Sequence, residues 1–208
     1  MDEVDGLNNM LKDNFNIDML DILPWAGTSI ANEKTIKELT WFDNFIKNNK
    51  GETLNIVEVG VRNGEMLVFI LKLCKKYEVK AYLYGIDLWE KCNNIDGNNT
   101  LTYKNIKSFF ELRFPEINLI QEDSANSSAL FRDSSMDLVI VDACHDYNCV
   151  KKDLIAWLPK VKNNGFLLAH DVISFEGPRT AWIELFNQLN IIDENSKAGY
   201  GVLNKRGK

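Results

Sequence analysis

The sequence predicts a doubly wound α/β fold, a mostly parallel seven-stranded sheet with helices on both faces and an N-terminal helical extension. Three observations lead there. From residue 54 onward, short apolar runs alternate with longer segments whose apolar residues recur at helical spacing. Turn signals and prolines fall between these segments or at their ends. Acidic residues stand where the runs end, on the edge of a parallel sheet where ligands bind.

Taken in order, "LNIVEVG" (54–60) reads as the first strand, and "GEMLVFILKLCKKY" (64–77) as the helix that follows it. "KAYLYGID" (80–87) is the second strand, and "TYKNIKSFFELRF" (102–114) a helix stopped by Pro115. "INLIQED" (117–123) is the third strand, followed by a short helical segment near "SSALFR". "MDLVIVD" (136–142) is the fourth strand, and "YNCVKKDLIAWLPKV" (147–161) its helix, with Pro159 near the end. "GFLLAHD" (165–171) is the fifth, introduced by the turn signal "NNG". "PRTAWIELFNQL" (178–189) is a helix with Pro178 in its first turn, and "IIDENSKAGYGVLNK" supplies two last strands around a turn. Residues 1–50 read as a helical cap, with "EKTIKELTWFDNFIKN" amphipathic, and residues 51–208 as the sheet domain. Such a cap is suited to covering the ligand edge or to pairing with a second copy in a homo-oligomer.

A chain of 208 residues is long enough for one core and short for two. Its net charge of −6 does not favour tracking a phosphate backbone, so a small-molecule partner is expected rather than nucleic acid. The four cysteines show neither CxxC nor zinc-ligand spacing and read as reduced thiols. The start "MDEVDGLNNMLKDNF" lacks the basic and apolar regions of a signal peptide, and no stretch approaches the roughly 18–20 apolar residues of a membrane span. These features make a cytoplasmic protein without a membrane partner the expectation.

The strand exits carry the chemistry. "VEVGVRNGE" offers Gly60 and Gly64 for a tight turn and a helix N-terminus for an anion. It has no GK[ST], which excludes a phosphate-cradling P-loop, and no third glycine for a dinucleotide fingerprint. Asp87, ending the second strand, is placed to accept hydrogen bonds from a ribose, a role shared by NAD and S-adenosylmethionine sites. Both histidines of the chain, His145 and His170, fall at or just past strand ends, each beside an aspartate. In a parallel sheet those ends are neighbours, so residues 142–145 and 170–171 are expected to meet.

The segments "VEVGVRNGE", "YGIDLW", "QEDSA" and "DLVIVDACHDYNCVKKDLIAWLPKVKNNGFLLAHDV" resemble the successive motifs of class I S-adenosylmethionine-dependent methyltransferases, a Rossmann-like family. They are most similar to small-molecule O-methyltransferases of the macrocin O-methyltransferase and cephalosporin-hydroxylase-like group. The fourth-strand block is the most specific part, and the sequence departs from the group's pattern at Ala143, where glycine is usual. The resemblance implies that Glu58, Gly60 and Gly64 line the methionine moiety of S-adenosyl-L-methionine, that Asp87 holds the ribose, and that Asp123 and Ser124 face the adenine.

Methyl transfer needs an aligned acceptor that has lost its proton, to a base or through a metal. Asp142 and Asp171 are suited to sharing a divalent cation: Mg²⁺, or Mn²⁺ if His170 joins them. In metal-dependent catechol-type O-methyltransferases, which this region resembles, a lysine three residues after the corresponding aspartate is the base. His145 takes that place here and is the expected catalytic residue. Blander roles are open beside these: Asp146 as a helix cap, Asp171 closing a turn, His170 bonded to a neighbour, Tyr147 and Trp157 as packing. An NAD-dependent oxidoreductase is disfavoured by the missing glycine and the absence of a Tyr-x-x-x-Lys pair, and a DNA N-methyltransferase by "DACH" in place of a D/N-P-P-Y/F motif. A non-catalytic cofactor-binding protein on the same fold is the remaining alternative.

Overall fold

A computed structural model describes residues 3–22, 34–89 and 102–206. The sequence also expects the loop "KCNNIDGNNT" (91–100) to border the acceptor pocket, and it lies outside the described residues. Among the described residues, the helices α1 (Glu3–Phe15) and α2 (Ile36–Asn48) come first. The alternating region follows as β1 (Thr53–Val59), α3 (Glu65–Tyr77), β2 (Lys80–Asp87), α4 (Tyr103–Arg113), β3 (Ile117–Gln121), the short α5 (Ser124–Ser127), β4 (Met136–Val141), α6 (Tyr147–Trp157), β5 (Val161–Ala169), α7 (Glu176–Phe186) and β6 (Gly201–Asn204).

Local chemistry sets many of these boundaries. Thr35 and Glu38 form a reciprocal capping box at the start of α2. Asp146 caps α6, its carboxylate accepting from the backbone N–H groups of Asn148 and Cys149, as the bland reading of that residue expected. Helix α4 stops at Arg113, two residues before Pro115, which cannot continue it.

The sheet order is β3-β2-β1-β4-β5-β6, with β6 antiparallel and the rest parallel. The chain steps outward from β1 to β3, then crosses back to place β4 on the other side of β1. Strand order therefore reverses between β1 and β4, where open α/β sheets bind ligands. Val59 pairs with Val141, and Val141 with Ala169, so the three central strands end level.

Side-chain alternation gives the sheet two cores. Ile56, Leu138, Ile140 and Leu168 pack with Leu11, Phe42, Phe69 and Phe110 on the face covered by α1 to α4. Val57, Val139, Val141 and Ala169 pack with Leu154, Trp157 and Trp182 on the face covered by α6 and α7. Full burial of each large apolar side chain contributes roughly 1.5–3 kcal/mol. No helix among the described residues is long and apolar enough to cross a membrane.

Among the described residues the sheet has six strands where seven were expected. The first tail strand is reduced to a single bridge, Ile191 to Gly201. Asp193 explains why: its carbonyl and carboxylate take the N–H groups of Ser196 and Asn195, turning the chain locally before a ladder can extend. The "NNG" segment also differs, since it lies inside β5 as a bulge and not ahead of the strand. Asn164 sits there with φ +65°, a left-handed conformation that asparagine tolerates.

Candidate active site

The exits of β1, β4 and β5 bring one cluster together. His145, in the loop after β4, places Nε2 2.8 Å from Asp171 Oδ2, beyond β5. Its ring stacks on Phe175 with centroids 4.0 Å apart and an 11° interplanar angle. His170 directs Nδ1 at Asp142 Oδ1 (3.1 Å) and at Asp171 Oδ2 (3.3 Å). Ser174 donates to Asp171 Oδ1 at 2.7 Å. The residues expected to meet, 142–145 and 170–171, are in contact.

Asp171 has φ +64°, and this left-handed turn aims its carboxylate back at both imidazoles. Burial opposes its charge, but hydrogen bonds from His145 and His170 outweigh that and hold the carboxyl far below the usual range. Asp142 is lowered in the same sense, with burial outweighed by the charges of His170 and Lys34. The Asp171 hydrogen bond raises the proton affinity of His145 against a smaller cost of burial. For His170 burial works against the charged form, yet Asp142 and the hydrogen bonds to both aspartates lift it to about 9.

Two neighbours of this cluster had no signal in the sequence. Lys34, just ahead of α2, sends Nζ to 2.7 Å from His170 Nε2 and 3.5 Å from Asp142 Oδ2. Tyr200, wholly buried, lies 4.6 Å from the His170 ring, centroid to centroid. Phe175 was equally silent, because a lone aromatic between a strand and a helix carries no periodic pattern.

Asp142, His170 and Asp171, the three expected metal ligands, place their ligand atoms within 4.8 Å of one another. The two carboxylates suit a hard divalent cation. His170 fits it poorly. An imidazole that ligates through one nitrogen carries its hydrogen on the other and donates it to an acceptor, whereas the other nitrogen here faces the ammonium of Lys34.

On the cofactor side, Glu58 is buried and its Oε2 has no hydrogen-bond partner among the described residues. Burial, reinforced by the charge of Asp142, pushes its carboxyl well above the usual range. An unpartnered buried oxygen of this kind fits a donor such as an amino group. Helix α3 opens at Gly64 with no side-chain cap hydrogen bond, and the positive end of its dipole there favours a carboxylate. Those features fit the methionine end of the cofactor. Gly60 has a further reason to be glycine: at φ +92°, a Cβ would stand 2.1 Å from the Asp142 carbonyl oxygen. The cofactor turn and the loop after β4 touch through that missing methyl.

Asp87 ends β2 with its oxygens accepting from Arg62 N (2.8 Å) and Trp89 N (2.7 Å), so it braces the turn. Each oxygen keeps a second lone pair that a ribose hydroxyl would use. Asp123 caps α5 and pairs with Lys152 at 3.3 Å. Ser124 donates to the buried Asp153 at 2.5 Å, which directs its hydroxyl into the α5–α6 contact. Trp157 is fully buried and donates to Ser124 O, a packing residue as expected, whereas the Tyr147 hydroxyl donates to Glu184 and accepts from Lys151 at the edge of a groove. A groove of about 400 Å³ opens beside His145, lined by Asp146, Tyr147, Glu176, Gly177 and Thr180.

A family model described as a methyltransferase domain matches residues 57–172, more than half of the chain. Among solved structures, a Corynebacterium glutamicum protein superposes with a TM-score of 0.66 at 12% identity, covering 100% of this chain and 99% of that one. The O-methyltransferase NovP superposes with a TM-score of 0.63 at 13% identity, covering 83% of this chain and 81% of its own. At such identities these likenesses speak for the fold. No curated protein sequence matches. The matched span runs from β1 to the turn after β5, and so takes in both the glycine turn and the two histidine–aspartate pairs. The chain belongs to the methyltransferase-domain family and is an S-adenosylmethionine-dependent methyltransferase.

Proposed function

We propose that the protein transfers the cofactor's methyl group to a hydroxyl oxygen of a small molecule, with His145 as general base. The observation that carries this reading is the His145–Asp171 contact at the open groove. Asp171 accepts the hydrogen on His145 Nε2, which leaves Nδ1 with a lone pair for the acceptor's proton. As the hydroxyl loses its proton to Nδ1, an oxygen lone pair forms the new C–O bond. The C–S bond breaks with its electron pair on sulfur, giving S-adenosylhomocysteine. Phe175 and Asp171 fix the imidazole on two sides, and that alignment supports in-line displacement.

The acceptor is a small hydroxylated molecule, with a sugar the class to test first: Asp146, Glu176 and Thr180 along the groove offer oxygens to several hydroxyl groups. A second reading, metal assistance by Mg²⁺ or Mn²⁺, draws on the convergence of Asp142, His170 and Asp171 and is weakened by the poor fit of His170, whose Nε2 faces Lys34.

The test is transfer of a labelled methyl group from S-adenosylmethionine to a panel of sugars, catechols and other phenols. Label recovered as an O-methyl ether supports the proposal. Transfer to nitrogen alone, or stabilisation by NADH and not by S-adenosylhomocysteine, contradicts it.

A further inference from the structure

Lys34 belongs to the segment that no sequence motif covers, yet its position is built. Thr35, the next residue, is tied into the capping box of α2, and its hydroxyl donates to Asp193 at 2.9 Å. The Lys34 side chain is only 5% exposed. Its Nζ lies 4.8 Å from the centroid of the Tyr200 ring and ends between His170 and Asp142. A buried ammonium is costly unless its protons find partners, and here an imidazole, a carboxylate and an aromatic face meet it.

We infer that Lys34 is the resident cation of the Asp142–His170–Asp171 cluster, holding His170 with its Nδ1–H on the two carboxylates and so excluding a divalent metal. Lys34 Nζ and His170 Nε2 are 2.7 Å apart, a separation that holds one hydrogen and not two. If Lys34 carries it, the imidazole keeps its own hydrogen on Nδ1; if Nε2 carries it, the carboxylate oxygens of Asp142 and Asp171 facing Nδ1 at 3.1 and 3.3 Å call for a hydrogen there as well. A metal sharing those oxygens with Nδ1 would have to displace that hydrogen. Turning the ring would not help, because Nε2 is already held by Lys34. The Lys34–His170 pair meanwhile supplies one positive charge to the two carboxylates, the service a metal would otherwise perform.

This inference rests on reading Asp142 and Asp171 as the acceptor side of the site, and it makes His145 the sole base. Lys34 is then a positioning residue acting through His170. The experiment is a calorimetric titration of Mn²⁺ into the full chain and into its Lys34→Met and Lys34→Arg variants. Lys34→Met, close in length and uncharged, is expected to bind Mn²⁺ at least ten-fold more tightly than the parent, while Lys34→Arg behaves as the parent does. No gain in Lys34→Met overturns the inference, as does a gain that survives in the Lys34→Met/Asp142→Asn double variant. Nitrogen-15 resonances of the parent protein give a reading that does not depend on any variant folding. A hydrogen on His170 Nδ1 is expected, and a bare Nδ1 overturns the inference. Neither measurement reads methyl transfer, so failure here is distinguishable from failure of the proposed reaction.

Discussion

His145 and Asp171 are joined by a 2.8 Å contact between Nε2 and Oδ2, reached from the exits of two adjacent parallel strands. Neither residue would be catalytic alone. An exposed imidazole samples many orientations, and an aspartate in a turn is ordinary. In the proposed reaction the two together act as a base with a fixed lone pair.

Asp171→Asn tests the orientation. Asparagine tolerates the left-handed backbone at φ +64° better than other non-glycine residues, so the turn is expected to survive. The amide can also donate, so it ceases to select the nitrogen of His145 that carries hydrogen. Steady-state kinetics should show kcat lowered by about ten-fold or more, with cofactor affinity unchanged. Unaltered kcat would remove Asp171 from the mechanism.

Gly60→Ala tests whether the cofactor turn and the acceptor loop are held by backbone contact. The added methyl would meet the Asp142 carbonyl oxygen, and the backbone there is left-handed. Neither strain is relieved by rotating a side chain. Denaturant unfolding should show a loss of about 2–4 kcal/mol or a failure to fold, and a near-neutral result would show that the two loops can separate.

Asp87→Asn separates bracing from ribose binding. The amide oxygen still accepts one of the two backbone N–H groups now shared by Asp87, so β2 and the turn should persist. A ribose held there, as proposed, would lose a charged acceptor. The rise in melting temperature produced by S-adenosylhomocysteine should shrink by an amount matching about ten-fold weaker binding, ~1.4 kcal/mol at saturation. An undiminished rise would move the ribose elsewhere.

Asp153 gives a pH dependence. Burial pushes its carboxyl from 3.8 up to about 6, the hydrogen bond from Ser124 opposing. A folded pKa above the unfolded one means that the native state holds the extra proton between those values. Stability from this group is therefore complete below about pH 4 and is lost as pH rises through about 6. Asp153→Asn keeps the acceptor for Ser124 and removes the charge. Its melting temperature should exceed the parent's by several degrees at pH 7.5, reflecting about 1–3 kcal/mol, and the gap should close near pH 4. A gap that is constant with pH would mean the charge is not the cause.

Much of the fold was legible in the sequence because a parallel sheet imposes simple patterns. The run ending at Val141 reads as a buried strand without any partner being known, and strands that must be parallel put Asp142 and Asp171 on one edge. Asp146 was legible for a local reason, since a cap acts within three residues. Lys34 was not, because its role depends on where a whole segment docks, and nothing in "NEKTIKEL" marks that lysine from its neighbours. The reduced last strand was illegible for a similar reason: the turn around Asp193 competes with the ladder through bonds that apolar periodicity does not record. Ser124 shows the limit of a strand-exit rule, for its position at the ligand edge does not decide that its hydroxyl turns toward Asp153.

The central claim is that His145 removes the acceptor's proton. The direct measurement is single-turnover methyl transfer by His145→Ala, beside the parent, at saturating S-adenosylmethionine and with an acceptor found by the labelled-methyl screen. The transfer rate is expected to fall by about 10²- to 10⁴-fold, with S-adenosylhomocysteine bound as tightly as by the parent. A variant that binds cofactor normally and transfers the methyl group at the parent's rate would contradict it.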